Sequence, residues 1–185
     1  MVKVSKQSSP PAVRTRRAYF DCKFGQLHVR TAFPTTGGFD ELATLACLHP
    51  SDASSRSFNR ILPLLADVRS VYAPDLPGYG ESDPSPARSV ADAATAIRDL
   101  AGDLRLRQID LLGVGYGAAV AVELAVAKPE LVRRLVLIDL AAADRLPQVM
   151  QPHQTVDVSR YGDHPFDAAP RELAEQIDAF LRRHP

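Results

Sequence analysis

Cysteine is scarce in this chain: Cys22 and Cys47 are its two examples among 185 residues. One pair cannot build a cysteine metal cluster, and both lie in segments patterned like strands, so they are expected as buried reduced thiols. The histidines show no HxxxH spacing, and His28, His153 and His184 have no neighbour at metal-ligand distance in sequence; no metal and no cofactor are expected. Net charge is missing as well. With 22 Lys and Arg against 22 Asp and Glu, no bulk field draws the chain to nucleic acid, and Arg14, Arg16 and Arg17 read as a solvated basic spot. No run approaches the roughly 18 apolar residues of a membrane span, there is no internal repeat, and Met1 to Arg17 lack the apolar segment of a secretory signal. These absences predict a cytoplasmic chain with no membrane or nucleic-acid partner, a disordered arm over residues 1–17 and a single domain over 18–185.

What is present is organised around the stretch from Ile109 to Leu124. An apolar run, Ile109 to Val114, ends in closely spaced glycines and passes into an Ala-rich helical pattern, which reads as a buried strand, a tight turn and a closely packed helix. Two mechanisms use such a turn. In the nucleophile elbow Gly-x-Ser-x-Gly, small residues let the chain reverse sharply enough to present a serine oxygen above the sheet. The frame here is Gly113-Val114-Gly115-Tyr116-Gly117, with Gly115 in the serine position. In the dinucleotide fingerprint Gly-x-Gly-x-x-Gly/Ala, satisfied by Gly113, Gly115 and Ala118, backbone amides approach a pyrophosphate, and Asp139 lies about where a ribose-binding acid belongs. The local spacing leaves both readings open.

The rest of the chain alternates. Segments 18–23 and 27–33 flank Phe24-Gly25-Gln26 as a hairpin; strands follow at 44–48, 68–73, 109–114 and 135–139. Helical spacing occupies 55–65, 90–104 and about 116–127, and Pro170 opens a last helix striped by Leu173, Ile177, Phe180 and Leu181. Between them 146–151 offers a stunted strand, 155–158 a further one, and 160–169 a loop. The fold class is α/β: a mostly parallel central sheet with an N-terminal antiparallel hairpin and helices on both faces.

Five segments also follow one another in a telling order. They are Leu48-His49-Pro50, the loop from Asp75 to Asp83 with its Asp-x-x-Gly-x-Gly-x-Ser pattern, the elbow, Lys128-Pro129-Glu130-Leu131-Val132, and Gly162-Asp163-His164 ahead of the terminal helix. Together they resemble the α/β-hydrolase family (esterases, lipases, acyltransferases) from about Phe20 onward, in a shortened form. The order argues against the dinucleotide reading, whose fingerprint normally opens the first strand and helix of its unit.

The resemblance implies a nucleophile at position 115, activated by His164, with an acid orienting that histidine. Gly115 supplies no attacking atom. The family's acid follows the strand before the last, in the stretch that is cut down here between Leu146 and Thr155; Asp139 is the substitute candidate, as a displaced acid or as a cap of the following turn. A helical lid has no room. The family's oxyanion donors fall on the backbone N–H groups of Ser51 and Tyr116, with His49 orienting the turn and Pro50 replacing the usual glycine. The expectation is a homologue of carboxylester hydrolases and acyltransferases without the serine-nucleophile step. It would keep a small apolar pocket over Gly115, bounded by His49, Ser51, Tyr116 and His164, for a small carbonyl or carboxylate ligand, and would pair as a homodimer through the apolar surface left by the missing lid. The alternatives are a hydrolase using water activated by His164, and a dinucleotide-binding protein built on Gly113, Gly115 and Ala118.

Overall fold

The computed structural model describes residues 13–35, 42–86, 89–140 and 144–183. Most of the predicted N-terminal arm, the centre of the loop after the second strand, and His184 lie outside these.

The glycine-rich turn closes the central strand of a seven-stranded sheet. The strands are β1 (Arg16–Cys22), β2 (Gly25–Ala32), β3 (Thr44–Leu48), β4 (Val71–Pro74), β5 (Ile109–Val114), β6 (Val132–Ile138) and β7 (His153–Val156). They lie in the order β1-β2-β4-β3-β5-β6-β7, antiparallel from β1 to β4 and parallel beyond. The hairpin begins at Arg16, two residues inside the predicted arm. β3 and β5 are buried throughout, as their mainly apolar runs suit strands covered on both faces.

The period of two along these strands sorts the core into two layers. Leu45, Cys47, Leu112 and Val114 face one side, against α1 (Leu62–Leu65), α4 (Pro165–Ala168) and α5 (Pro170–Leu181). Ala46, Leu48 and Leu111 face the other, against α2 (Val90–Asp103) and α3 (Tyr116–Ala127). Ser89 caps α2, its hydroxyl accepting from the Asp92 N–H at 3.1 Å. At the far end of the sheet an ionic cluster anchors α5: Arg69 meets Asp110 at 3.3 Å and Asp178 at 2.6 Å, and Arg133 and Arg134 donate to the Leu181 carbonyl at 2.9 and 3.2 Å. Asp110 is fully buried, and burial lifts its carboxyl despite the opposing pull of Arg133 and Arg69.

Several boundaries differ from the sequence pattern. The helical stretch 55–65 splits into a 3₁₀ turn, Ser55–Phe58, and α1, because Pro63 cannot donate backward to an earlier turn. β4 starts at Val71 rather than residue 68, since Arg69 turns into the ionic cluster. The predicted stunted strand at 146–151 is a 3₁₀ turn, Leu146–Gln148, and the last strand sits two residues earlier, at His153–Val156, in register with Leu135–Ile138. The predicted loop 160–169 contains α4, opened by Pro165.

The large apolar side chains that are exposed, Tyr19, Phe33, Leu64 and Met150, come from separate elements. Among the described residues Met150 is the exposed large apolar side chain in the shortened segment after β6. No helix among the described residues is long and apolar enough to cross a membrane.

Candidate active site

Gly115 stands between β5 and α3 with φ 52° and ψ −113°, a strained backbone conformation outside the regions open to ordinary L-residues. Its N–H donates to the Ile138 carbonyl at 2.9 Å, and its own carbonyl accepts from the Ala118 and Ala119 N–H groups. The turn is therefore tied at once to β6 and to the first turn of α3. Its glycines answer to different constraints. A Cβ on Gly113 would lie 2.5 Å from the Ala118 Cα, and one on Gly117 would lie 2.1 Å from the Leu48 carbonyl oxygen. Backbone occupies both places. A Cβ on Gly115 meets only the Pro50 side chain, at 3.3 Å, so here torsion more than space favours glycine.

The segment after β3 packs beside this turn. His49 is fully buried and uses both ring nitrogens: Nδ1 lies 2.7 Å from the Pro50 carbonyl oxygen, and Nε2 accepts from the Leu76 N–H at 2.9 Å. That pattern assigns the proton to Nδ1. Burial pushes the His49 pKa down, offset only in part by the bond to Pro50. A ring so placed is a strut between two loops, and it does not line the cleft described below. Ser51 is exposed in the turn that follows.

The loop after β4 forms a closed polar knot. Asp75, 1% exposed, accepts from the Ser55 N–H at 2.6 Å and the Glu81 N–H at 2.8 Å, and the Nδ1 of buried His28 lies 2.9 Å from its Oδ2. The Ser82 hydroxyl donates to the Asp75 carbonyl at 2.6 Å and accepts from the His28 N–H at 2.9 Å. Burial acts to raise the Asp75 pKa, but these donors outweigh it and hold the carboxyl below its ordinary range. Gly80, at φ 56°, leaves the space that the carboxylate fills. The sequence pattern singled out this loop but not the partnership of His28 with Asp75; the signal was a histidine facing inward on a half-buried strand.

Tyr116 opens α3. Its hydroxyl donates to the Ser89 carbonyl at 3.1 Å and its ring stands 6.1 Å from that of Tyr79, which in turn meets His49 edge-on at 5.4 Å. Burial, with Tyr79 and Asp92 nearby, pushes the phenol up to about 12. The ring thus ties α3 to the start of α2 and does not line the cleft described next.

His164 precedes α4 and is exposed. With Pro50, Ser57, Val114, Asp163, Pro165, Phe166 and Asp167 it lines a cleft of about 60 Å³. Of the four residues expected to bound a pocket here, only His164 does so. Ser57, Asp163 and Asp167 were missed because they come from three elements that only the fold brings together. Asp167 pairs with Arg60 at 3.3 Å. Asp139 follows Ile138, the register partner of Val114, so it sits at the sheet edge beside the turn, exposed and with a positive φ of 50°. Among the described residues no carboxylate bonds to the His164 ring and none of the cluster types that hold metal ions is present.

The strained elbow on the central strand, the buried turn beside it and a histidine on the last loop are the layout of one fold. Residues 45–184 match the family model described as the Alpha/beta hydrolase family. The chain belongs to this family. It is 32% identical over 161 residues to 2-hydroxy-6-oxononadienedioate/2-hydroxy-6-oxononatrienedioate hydrolase 2 of Pseudomonas putida, covering 84% of this chain and 53% of that one. It is 29% identical to a soluble epoxide hydrolase of Corynebacterium, over 75% of this chain and 50% of the relative. Among solved structures, carboxylesterase CesB from Bacillus subtilis superimposes with a TM-score of 0.62 at 27% identity, covering 70% of this chain and 45% of that one. This alpha/beta hydrolase homologue thus spans about half the length of the curated relatives it matches here.

Proposed function

We propose that this alpha/beta hydrolase homologue holds a small carbonyl compound without covalent catalysis. The observation that carries the reading is Gly115: the elbow keeps the backbone torsion of a presented nucleophile, and nothing projects from it. Removing the nucleophile of a triad enzyme leaves only roughly 10³ to 10⁴ over water, from the oxyanion donors and binding. The unpartnered position of His164 points the same way, since a general base needs an orienting acid to fix its tautomer. The ligand site is the cleft between Pro50 and His164, with the Ser57 hydroxyl as a further donor. Asp163 stands on its wall without a salt-bridge partner among the described residues, so a neutral carbonyl is favoured over a carboxylate.

A second reading, hydrolysis by water activated at His164, draws on the exposed imidazole in the cleft. One assay separates the two. Purified protein is given short p-nitrophenyl esters beside a His164→Ala variant. Equal rates support the noncatalytic reading; a wild-type rate well above the variant's replaces it with the water mechanism.

A further inference from the structure

We propose that Pro50 keeps the nucleophile position shut, so that covalent chemistry is blocked at two places in the chain and reopening it requires changing both. The inference deepens the reading of Gly115 as the empty nucleophile position and assigns to Pro50 the wall that faces it.

Among the described residues outside its own chain neighbours, Pro50 is the one that a Cβ at position 115 would meet. A Cβ built there lies 3.3 Å from the Pro50 Cβ, tighter than ordinary van der Waals contact, and 3.9 Å from its Cα, an ordinary one. Any hydroxyl or thiol beyond that Cβ must turn aside from the ring. Whether the contact matters depends on whether Pro50 can yield, and its surroundings fix it. Its carbonyl accepts from the Ala53 N–H at 3.2 Å and is met by His49 Nδ1 at 2.7 Å. His49 has no freedom either, being fully buried and held by the Leu76 N–H at 2.9 Å. The pyrrolidine ring fixes φ and so removes the easiest backbone adjustment. Pro50 also lines the cleft together with Val114 and His164.

The contact can be isolated from the torsional strain of position 115, because that strain is the same whatever occupies position 50. Gly115→Ser and Gly115→Ala are each made in three backgrounds: wild type, Pro50→Ala and Pro50→Gly. Melting temperatures are compared after circular dichroism has shown native secondary structure. Adding a side chain at 115 is expected to lower the melting temperature most where position 50 carries a Cβ. In Pro50→Gly the drop shrinks by about 2 °C or more, the scale of a contact of moderate strain in a chain of this size. Identical drops in all three backgrounds, or relief by Pro50→Ala as complete as by Pro50→Gly, would overturn the proposal.

A chemical readout tests the same claim at the site itself. In Gly115→Cys the introduced thiol is alkylated with iodoacetamide: its sulfur bonds to the methylene carbon, iodide leaves and the proton goes to solvent. Peptide mass mapping separates this site from Cys22 and Cys47. The rate is expected to rise about tenfold or more on adding Pro50→Gly, since access governs the reaction of a thiol of given acidity. Equal rates in the two backgrounds contradict a shut position. Neither measurement depends on whether the wild-type chain hydrolyses esters, so this proposal and the proposed function can fail separately.

Discussion

Two polar clusters at the carboxyl edge of the same sheet have opposite character. Around Asp75 two backbone donors and one imidazole close on a carboxylate that is 1% exposed, and a serine hydroxyl ties down the same residue's carbonyl. Around Gly115 the corresponding groups are loose. His164 and Asp139 are exposed, and neither bonds to the other among the described residues. The first cluster positions loops and the second would perform chemistry. The difference teaches that scaffold and reactivity are separable in this fold: the turn keeps its backbone shape with glycine at its apex, while among the described residues the His164 ring bonds to no carboxylate.

The comparison is sharpened by changes graded from scaffold to chemistry. Gly117→Ala is expected to do most damage, because its Cβ would lie 2.1 Å from the Leu48 oxygen; a loss above about 3 kcal/mol, or failure to fold, should appear in chemical denaturation. Asp75→Asn follows, at about 2–4 kcal/mol in the same assay, because buried donors lose a charged acceptor. Gly115→Ala should cost about 1–3 kcal/mol, from the positive φ with a share from Pro50. His164→Ala, exposed and outside the core, should change stability by less than about 0.5 kcal/mol. If His164→Ala proved as costly as Asp75→Asn, the contrast between the clusters would be lost.

The knot also carries a pH signature. His49 has its folded pKa below the ordinary 6.5, so the unfolded chain takes up a proton first as pH falls. Its contribution is fully present above about 6.5 and is lost as pH drops toward the lower folded value. Asp75 behaves alike at lower pH, its contribution disappearing only below the ordinary carboxylate range. Melting temperatures between pH 8 and 5, at about half-unit steps, should fall more steeply for wild type than for His49→Gln. A steeper fall in the variant would contradict the assignment of a neutral buried ring.

Much of the fold could be read from the chain because burial writes simple patterns. Thr44–Leu48 and Ile109–Val114 are dominated by apolar residues and emerge as strands with those bounds, and Pro170 marks the start of the last helix. The errors fall where one residue serves a distant partner. Arg69 leaves the strand pattern to meet Asp110 and Asp178, and Pro63 divides a helical period that the apolar spacing alone would have continued. The site was legible in its order, from the His49 turn through the elbow to His164, and much less so in its lining. Ser57 lies between the buried residues Ser55 and Phe58, and Asp167 within a predicted loop, so no local pattern marks either as facing His164.

The claim that the elbow presents nothing reactive is tested most directly by a fluorophosphonate probe on the purified wild-type protein, read by intact mass and peptide mapping. The account predicts no adduct at any residue lining the cleft. Stoichiometric phosphonylation of Ser57, or of another serine beside His164, would contradict it.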